Sequence, residues 1–110
     1  MSFFQSITKK PNETRIAVVS FAEKLVNTAE LIDAQGLSAI ELRTTALTVG
    51  TPSPIDADFV YQDRIVHAGQ AVEVSIGGGV SRKDYTVRVT VQTNGSPVQT
   101  LVEDLRVHVL

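Results

Sequence analysis

The sequence predicts an all-β chain, an antiparallel sandwich, and three observations predict it. Two valine-rich runs alternate with a period of two: Val72, Val74 and Ile76 against Glu73 and Ser75, then Tyr85, Val87, Val89 and Val91 against Thr86, Arg88, Thr90 and Gln92. That period marks half-buried strands. Gly77, Gly78, Gly79 and the polar residues 81–84 lie between the runs, so the chain is expected to reverse there and the runs to pair antiparallel. Turn signals recur about every ten residues elsewhere, with little convincing helix between them. A strand pair alone is too small to be stable, so the remaining residues must cover its apolar face.

A chain of 110 residues fits one domain with one core. Its 12 acidic and 10 basic residues leave no electrostatic footprint for gripping a phosphate backbone, so nucleic acid is not an expected partner. Cysteine is absent, which excludes disulfides, Cys-ligated zinc and thiol catalysis. The opening MSFFQSITKK places no charged region before a long apolar segment, and no apolar run approaches a membrane span. The expectation is a protein made soluble in a cytoplasm, with no membrane partner.

Taken in order, residues 1–12 show neither period and end in Lys9, Lys10 and Pro11, a poor continuation for a helix or strand. They read as an extended N-terminal arm ahead of a domain at 13–110. Phe3, Phe4 and Ile7 must be buried on that domain or on a neighbour, and the reading favours a neighbour or a homo-oligomer mate. Residues 14–21 are apolar on both parities, as expected for a strand covered on two sides or changing face. Residues 21–33 read either as a short amphipathic helix through Phe21 and Leu25 or as a loop with one helical turn.

In residues 37–48, Ile40, Leu42, Thr44 and Ala46 share one parity and Glu41, Arg43 and Thr45 the other, which favours a strand. Residues 50–54 carry Gly, two Pro and Ser, and form a loop inside the domain. Residues 55–60 are weak strand material and 61–64 a polar turn. Residues 64–68 then lead through Gly69 into the first valine run, as one strand broken by a bulge. Asn94-Gly95-Ser96-Pro97 is a turn signal. The last strand sets Leu101, Glu103, Leu105, Val107 and Val109 on one face.

Short strands at this spacing match an antiparallel immunoglobulin-like β-sandwich of about seven strands, close to the usual ~100 residues. The cysteine pair and tryptophan of antibody domains are missing, which excludes a true antibody-type domain. A barrel of roughly six to eight strands is the alternative.

Motifs that carry chemistry are weak. Gly77-Gly78-Gly79 fits neither phosphate-binding glycine pattern and reads as a flexible reversal. Asp56, Asp58 and Asp63 lie close together but lack the EF-hand spacing and its closing Glu. His67 and His108 are far apart in the chain, with no nucleophile signature near either. Glu103 and Asp104 are strand neighbours facing opposite ways, so they cannot act as a carboxylate pair. No enzyme, cofactor or metal reading emerges. Lys9 and Lys10, with Arg15 nearby, form a short basic cluster suited to an acidic partner surface, with a solvated turn as the default.

Phe21, AELI at 29–32, LTV at 47–49, VSIGGG at 74–79 and YTVRVTVQT at 85–93 together resemble a group of small tailed-bacteriophage and prophage proteins. In that group a Lys-Pro or Lys-Asp start leads to an aromatic, a Gly-Glu-x-Ile-like step, a Leu-x-Val step, a Ser-Gly-Gly loop, a Tyr-x-Val strand and a last Val-rich strand. The correspondence runs from about Lys10 to the end of the chain, with Ala29 in place of the usual Gly, Ile76-Gly77 in place of Ser-Gly, and no tryptophan near Phe21.

The resemblance implies an immunoglobulin-like sandwich serving as a virion structural part. The resulting expectation is a non-enzymatic phage protein, a capsid decoration or cement protein or a neck or tail component. It would act through contacts with other virion proteins and copies of itself. Its expected partner-binding residues are Phe3, Phe4, Ile7, Lys9 and Lys10, and deletion of residues 1–10 is expected to leave a folded domain. A host-receptor or glycan-binding fibre module, stacking sugars on Tyr61 and Phe59, is the alternative.

Overall fold

The computed structural model describes residues 5–25, 30–61 and 63–110. These form ten strands: β1 (Gln5–Lys9), β2 (Arg15–Ser20), β3 (Ser38–Glu41), β4 (Leu47–Val49), β5 (Ser53–Pro54), β6 (Phe59–Tyr61), β7 (Arg64–Val66), β8 (Ala71–Gly78), β9 (Asp84–Gln92) and β10 (Thr100–Val109). No helix occurs among the described residues. At Phe21 the chain makes one helical turn, with the Leu25 N–H donating to the Phe21 carbonyl at 3.1 Å, and residues 26–29 lie outside the described residues. The loop with a single turn is therefore the alternative that holds as far as Leu25.

One sheet runs β1-β10-β9-β3 and a second runs β2-β8-β4, with β5 also on β8; β6 and β7 form a separate hairpin. All pairs are antiparallel except β1 on β10, which is parallel. One hydrophobic cluster draws on both sheets: Ala17 and Val19 of β2 and Val72, Val74 and Ile76 of β8 meet the valines of β9 and Leu105, Val107 and Val109 of β10. The inward face predicted for the last strand is the observed one, Glu103 included.

The two valine runs, however, do not pair with each other. Residues 79–83 carry the chain from one sheet to the other, so β8 and β9 share a core while belonging to different sheets. Alternation reports that one face of a strand is apolar and is silent on which strand lies beside it.

The glycines belong to this crossing. Gly77 and Gly78 are paired with Thr48 and Leu47 of β4, and Gly79 sits at a φ of 94° where a Cβ would meet Val109 Cγ2 at 2.8 Å. Close packing and a left-handed backbone, rather than looseness, require glycine here.

Other expectations are corrected in the same way. The expected strand over 37–48 is two strands in different sheets, broken at Arg43, whose φ is 72°. The Glu41 carboxylate organises that crossing by accepting from the main-chain N–H of Leu47 at 2.7 Å and of Ala46 at 3.1 Å. Residues 64–66 are not a bulged start of β8. They pair with β6, and a turn closed by the Gln70 N–H on the His67 carbonyl at 3.0 Å separates them from β8.

A smaller cluster gathers Ile55, Val66 and Ala71 with Val18, Ala22 and Phe59. Val18 alternates with the inward Ala17 and Val19, so this cluster covers part of the outer side of β2, and Ile16 further along that side is exposed. The short β5, β6 and β7 raise the strand count above the expected seven.

Candidate functional site

The residues expected to bind a partner fall into three groups. Phe3 and Phe4 lie outside the described residues. Ile7 and Lys9 belong to β1 and turn into the domain itself: Ile7 is half-buried against the main cluster, and Lys9 is 1 % exposed. Only Lys10 stands on the surface, its N–H donating to the Glu13 carboxylate at 2.6 Å.

The physical reason is the way β1 is fastened. The Lys9 ammonium donates to the carbonyls of Lys10 and Gly78, both at 2.6 Å, and so ties the end of β1 to the end of β8 in the other sheet. At the other end the Gln5 amide accepts from the Ser20 N–H at 2.8 Å and donates to the Ser20 carbonyl at 2.9 Å. A primary amide presents a donor and an acceptor side by side, so Gln5 stands in for one rung of a ladder between the sheets. Residues 5–9 are thus an edge strand of the domain, not part of a free arm. The bonds from the Lys9 ammonium are charge-assisted and so among the stronger ones.

The basic cluster is dismantled by the same contacts. Lys9 is inside, and Arg15 Nη1 donates to the Thr8 carbonyl at 2.9 Å, across the outer side of β1. Lys10 and Arg15 remain exposed, Lys10 beside Glu13 and Arg15 tied to the Thr8 carbonyl.

The titratable residues singled out in the sequence are likewise engaged. Asp58 accepts from the Ala68 N–H at 2.8 Å and pairs with His67 Nδ1 at 3.2 Å; the backbone bond first and the imidazole second hold its carboxyl below the ordinary value. Asp84 lies 2.5 Å from His108 Nδ1 and 3.6 Å from Arg106 Nη2, and its carboxyl is also lowered, chiefly by the His108 hydrogen bond. The two histidines sit on different elements, one before β8 and one on β10. Asp63 takes a φ of 62° at the turn of the β6–β7 hairpin and Asp56 is exposed; neither joins Asp58 at a common point. Among the described residues no group of three or more His, Asp or Glu side chains is placed to hold a metal ion.

Sequence reasoning missed Gln5, Glu41 and Glu30 as organisers. Glu30 accepts from the Thr93 hydroxyl at 2.9 Å and from the Gln99 amide at 3.2 Å, and so grips both ends of the β9–β10 turn. Gln5 and Glu30 reach groups distant in the chain, which leaves no local signal, whereas the partners of Glu41 lie within six residues of it.

Several strands carry apolar side chains outward. Val60 and Ile65 face each other across the β6–β7 hairpin and are 71 % and 62 % exposed, while Ile40 on the outer side of β3 is 57 % exposed. Phe59, proposed as a sugar-stacking aromatic, is instead half-buried in the smaller cluster. The outer side of the β10–β9 pair carries charge-paired rows, including Arg88, whose Nε and Nη2 donate to the two oxygens of Asp104 at 3.0 and 3.2 Å and whose guanidinium is held in its charged form by them. No protein family, characterised protein or solved structure matches the chain.

Proposed function

We propose that this domain is an immunoglobulin-like β-sandwich acting as a non-enzymatic structural part of a bacteriophage virion, a decoration or cement protein of the capsid or a component of the neck or tail. The fold half of the reading is supported by strand order. β2-β8-β4 corresponds to B-E-D of a constant-type immunoglobulin sheet and β3-β9-β10 to C-F-G. Tyr85, near the start of β9, accepts from the upstream Val80 N–H through its phenolic oxygen at 2.9 Å, the arrangement of the tyrosine corner at the start of strand F.

The functional half takes its direction from the resemblance to small tailed-phage proteins. The observation that carries it is the exposed, strand-borne apolar set of Ile40, Val60 and Ile65 on a domain whose polar side chains hold the fold together. Apolar side chains on rigid strands lose little freedom on docking, and each gains on the order of 2 kcal/mol when fully covered. Repetition over many copies turns such modest contacts into a stable assembly. The partners are other virion proteins and further copies of this chain, and the place of action is the virion, assembled in the host cytoplasm.

The test is biochemical. Purified particles of the phage encoding the chain are expected to contain it, and a variant lacking residues 1–4 or carrying Val60→Ser with Ile65→Ser is expected to fold but to be incorporated poorly. Particles free of the protein, or specific retention on a glycan array in place of incorporation, would overturn the reading.

A further inference from the structure

We infer that β3 is a dimerisation edge, along which the β3 of a second copy of this chain adds antiparallel and continues the sheet across a two-fold axis. The Leu42 N–H donates to the Thr86 carbonyl at 2.9 Å, and Leu42 opposite Thr86 continues the register in which Ile40 faces Arg88 and Ser38 faces Thr90. Hydrogen-bonded positions in an antiparallel pair recur at every second residue. Ser38, Ile40 and Leu42 therefore turn their main-chain groups toward β9. Ala39 and Glu41 turn theirs away, to the side on which no strand is paired among the described residues.

An edge of that kind is a template for another strand, and natural sheets blunt it with charge, proline or a covering element. On β1 the guanidinium of Arg15 occupies the Thr8 carbonyl. On β3 there is no proline or lysine, and its one acid, Glu41, turns its carboxylate back onto the N–H groups of Ala46 and Leu47.

The occupant follows from self-complementarity. A two-fold axis at Ile40 sets Ala39 opposite the partner's Glu41 and Glu41 opposite the partner's Ala39. Each of these pairs exchanges both N–H and C=O groups, giving about four main-chain hydrogen bonds. Ile40 then meets the partner's Ile40 in the non-hydrogen-bonded site, where cross-strand side chains approach most closely. The most exposed apolar residue of this sheet is thereby covered by its own symmetry mate. A four-residue ribbon covers little area, so the free dimer is weak and gains strength where copies are held side by side. The choice of a second copy as occupant rests on the assembly reading above.

Light scattering of the full chain as concentration rises to about 1 mM is expected to show the apparent mass climbing from one chain toward two. Ala39→Pro removes an N–H that faces away from β9 and so spares the intramolecular ladder. Ile40→Lys leaves the main chain intact and sets like charges against each other at the axis. Each variant is expected to weaken the dimer about tenfold or more while keeping its circular dichroism spectrum. A chain that stays monomeric at every concentration, or a dimer undiminished in both folded variants, overturns the inference. The second result removes the edge and leaves the assembly reading standing; particles that lack the protein remove the assembly reading and leave the edge.

Discussion

β1 and β3 close the same sheet at its two sides, and they are held in opposite ways. β1 pairs parallel with β10 and is stapled to the other sheet at both ends, by Gln5 on Ser20 and by Lys9 on Gly78, with Arg15 across its outer side. β3 has its antiparallel ladder with β9 and a tie at one end only, Glu41 on the N–H groups of Ala46 and Leu47, and among the described residues no strand or side-chain bond covers its outer edge. The difference teaches how an edge strand is divided between stability and recognition: side chains that tie an edge down also close it to partners, and an edge left to its ladder keeps its outer groups for another chain.

The comparison can be broken most forcefully by removing β1. Deletion of residues 1–10 takes away the staples and the Ile7 packing together, and is expected to lower the unfolding free energy by roughly 4 kcal/mol in urea titration. Next comes Lys9→Met, which keeps the apolar stem and removes the ammonium from two carbonyls; a loss of about 2 kcal/mol is expected by the same measurement. Gln5→Ala removes the paired bonds to Ser20 and is expected to cost about 1.5 kcal/mol.

A smaller effect is pH-dependent and sits beside β1, where Thr8 faces His108 across the sheet. The folded-state value of Asp84 lies below its ordinary 3.8, first because of the hydrogen bond with His108 and then because of the His108 and Arg106 charges. A depressed carboxyl contributes stability above its unfolded value and loses it as pH falls from there through the folded value. Asp84→Asn is therefore expected to melt below the parent protein at neutral pH, with the gap closing as the pH drops beneath 3.8. At the far side, Ile40→Ser should change stability by no more than about 0.5 kcal/mol, since the side chain is exposed in the monomer. A larger loss would show that the Ile40 side chain contributes to the fold of the single chain.

Much of the frame was legible in the chain. The alternation in residues 72–76, 85–91 and 101–109 correctly marked three long strands and their inward faces, because side-chain period follows from the pleat alone. Asn94 and Gly95 correctly marked the turn between the last two, where a cis peptide at Ser96–Pro97 is found. The same reasoning misplaced β1, since TKKP looks like an ending and the strand's partner, β10, lies at the opposite end of the sequence. It sorted the residues of β3 by parity without saying which side turns inward: Ile40 looks outward and the small Ala39 packs inward, because four residues hold too few alternations to set an apolar side against its reverse. Among the expected binding residues, Lys9 could not have been recognised as internal, for its acceptor on Gly78 is brought to it only by the packing of two sheets.

By itself, then, the sequence determined that this is a strand-built chain, and which side of each long strand avoids water. Only the tertiary structure decided which strands are neighbours, that the glycine-rich crossing joins two sheets and not two strands of one, and that a lysine serves as an internal tie. The reason is that hydrophobic alternation is carried by side chains and is local, whereas the choice of neighbour is made by main-chain groups that every residue shares.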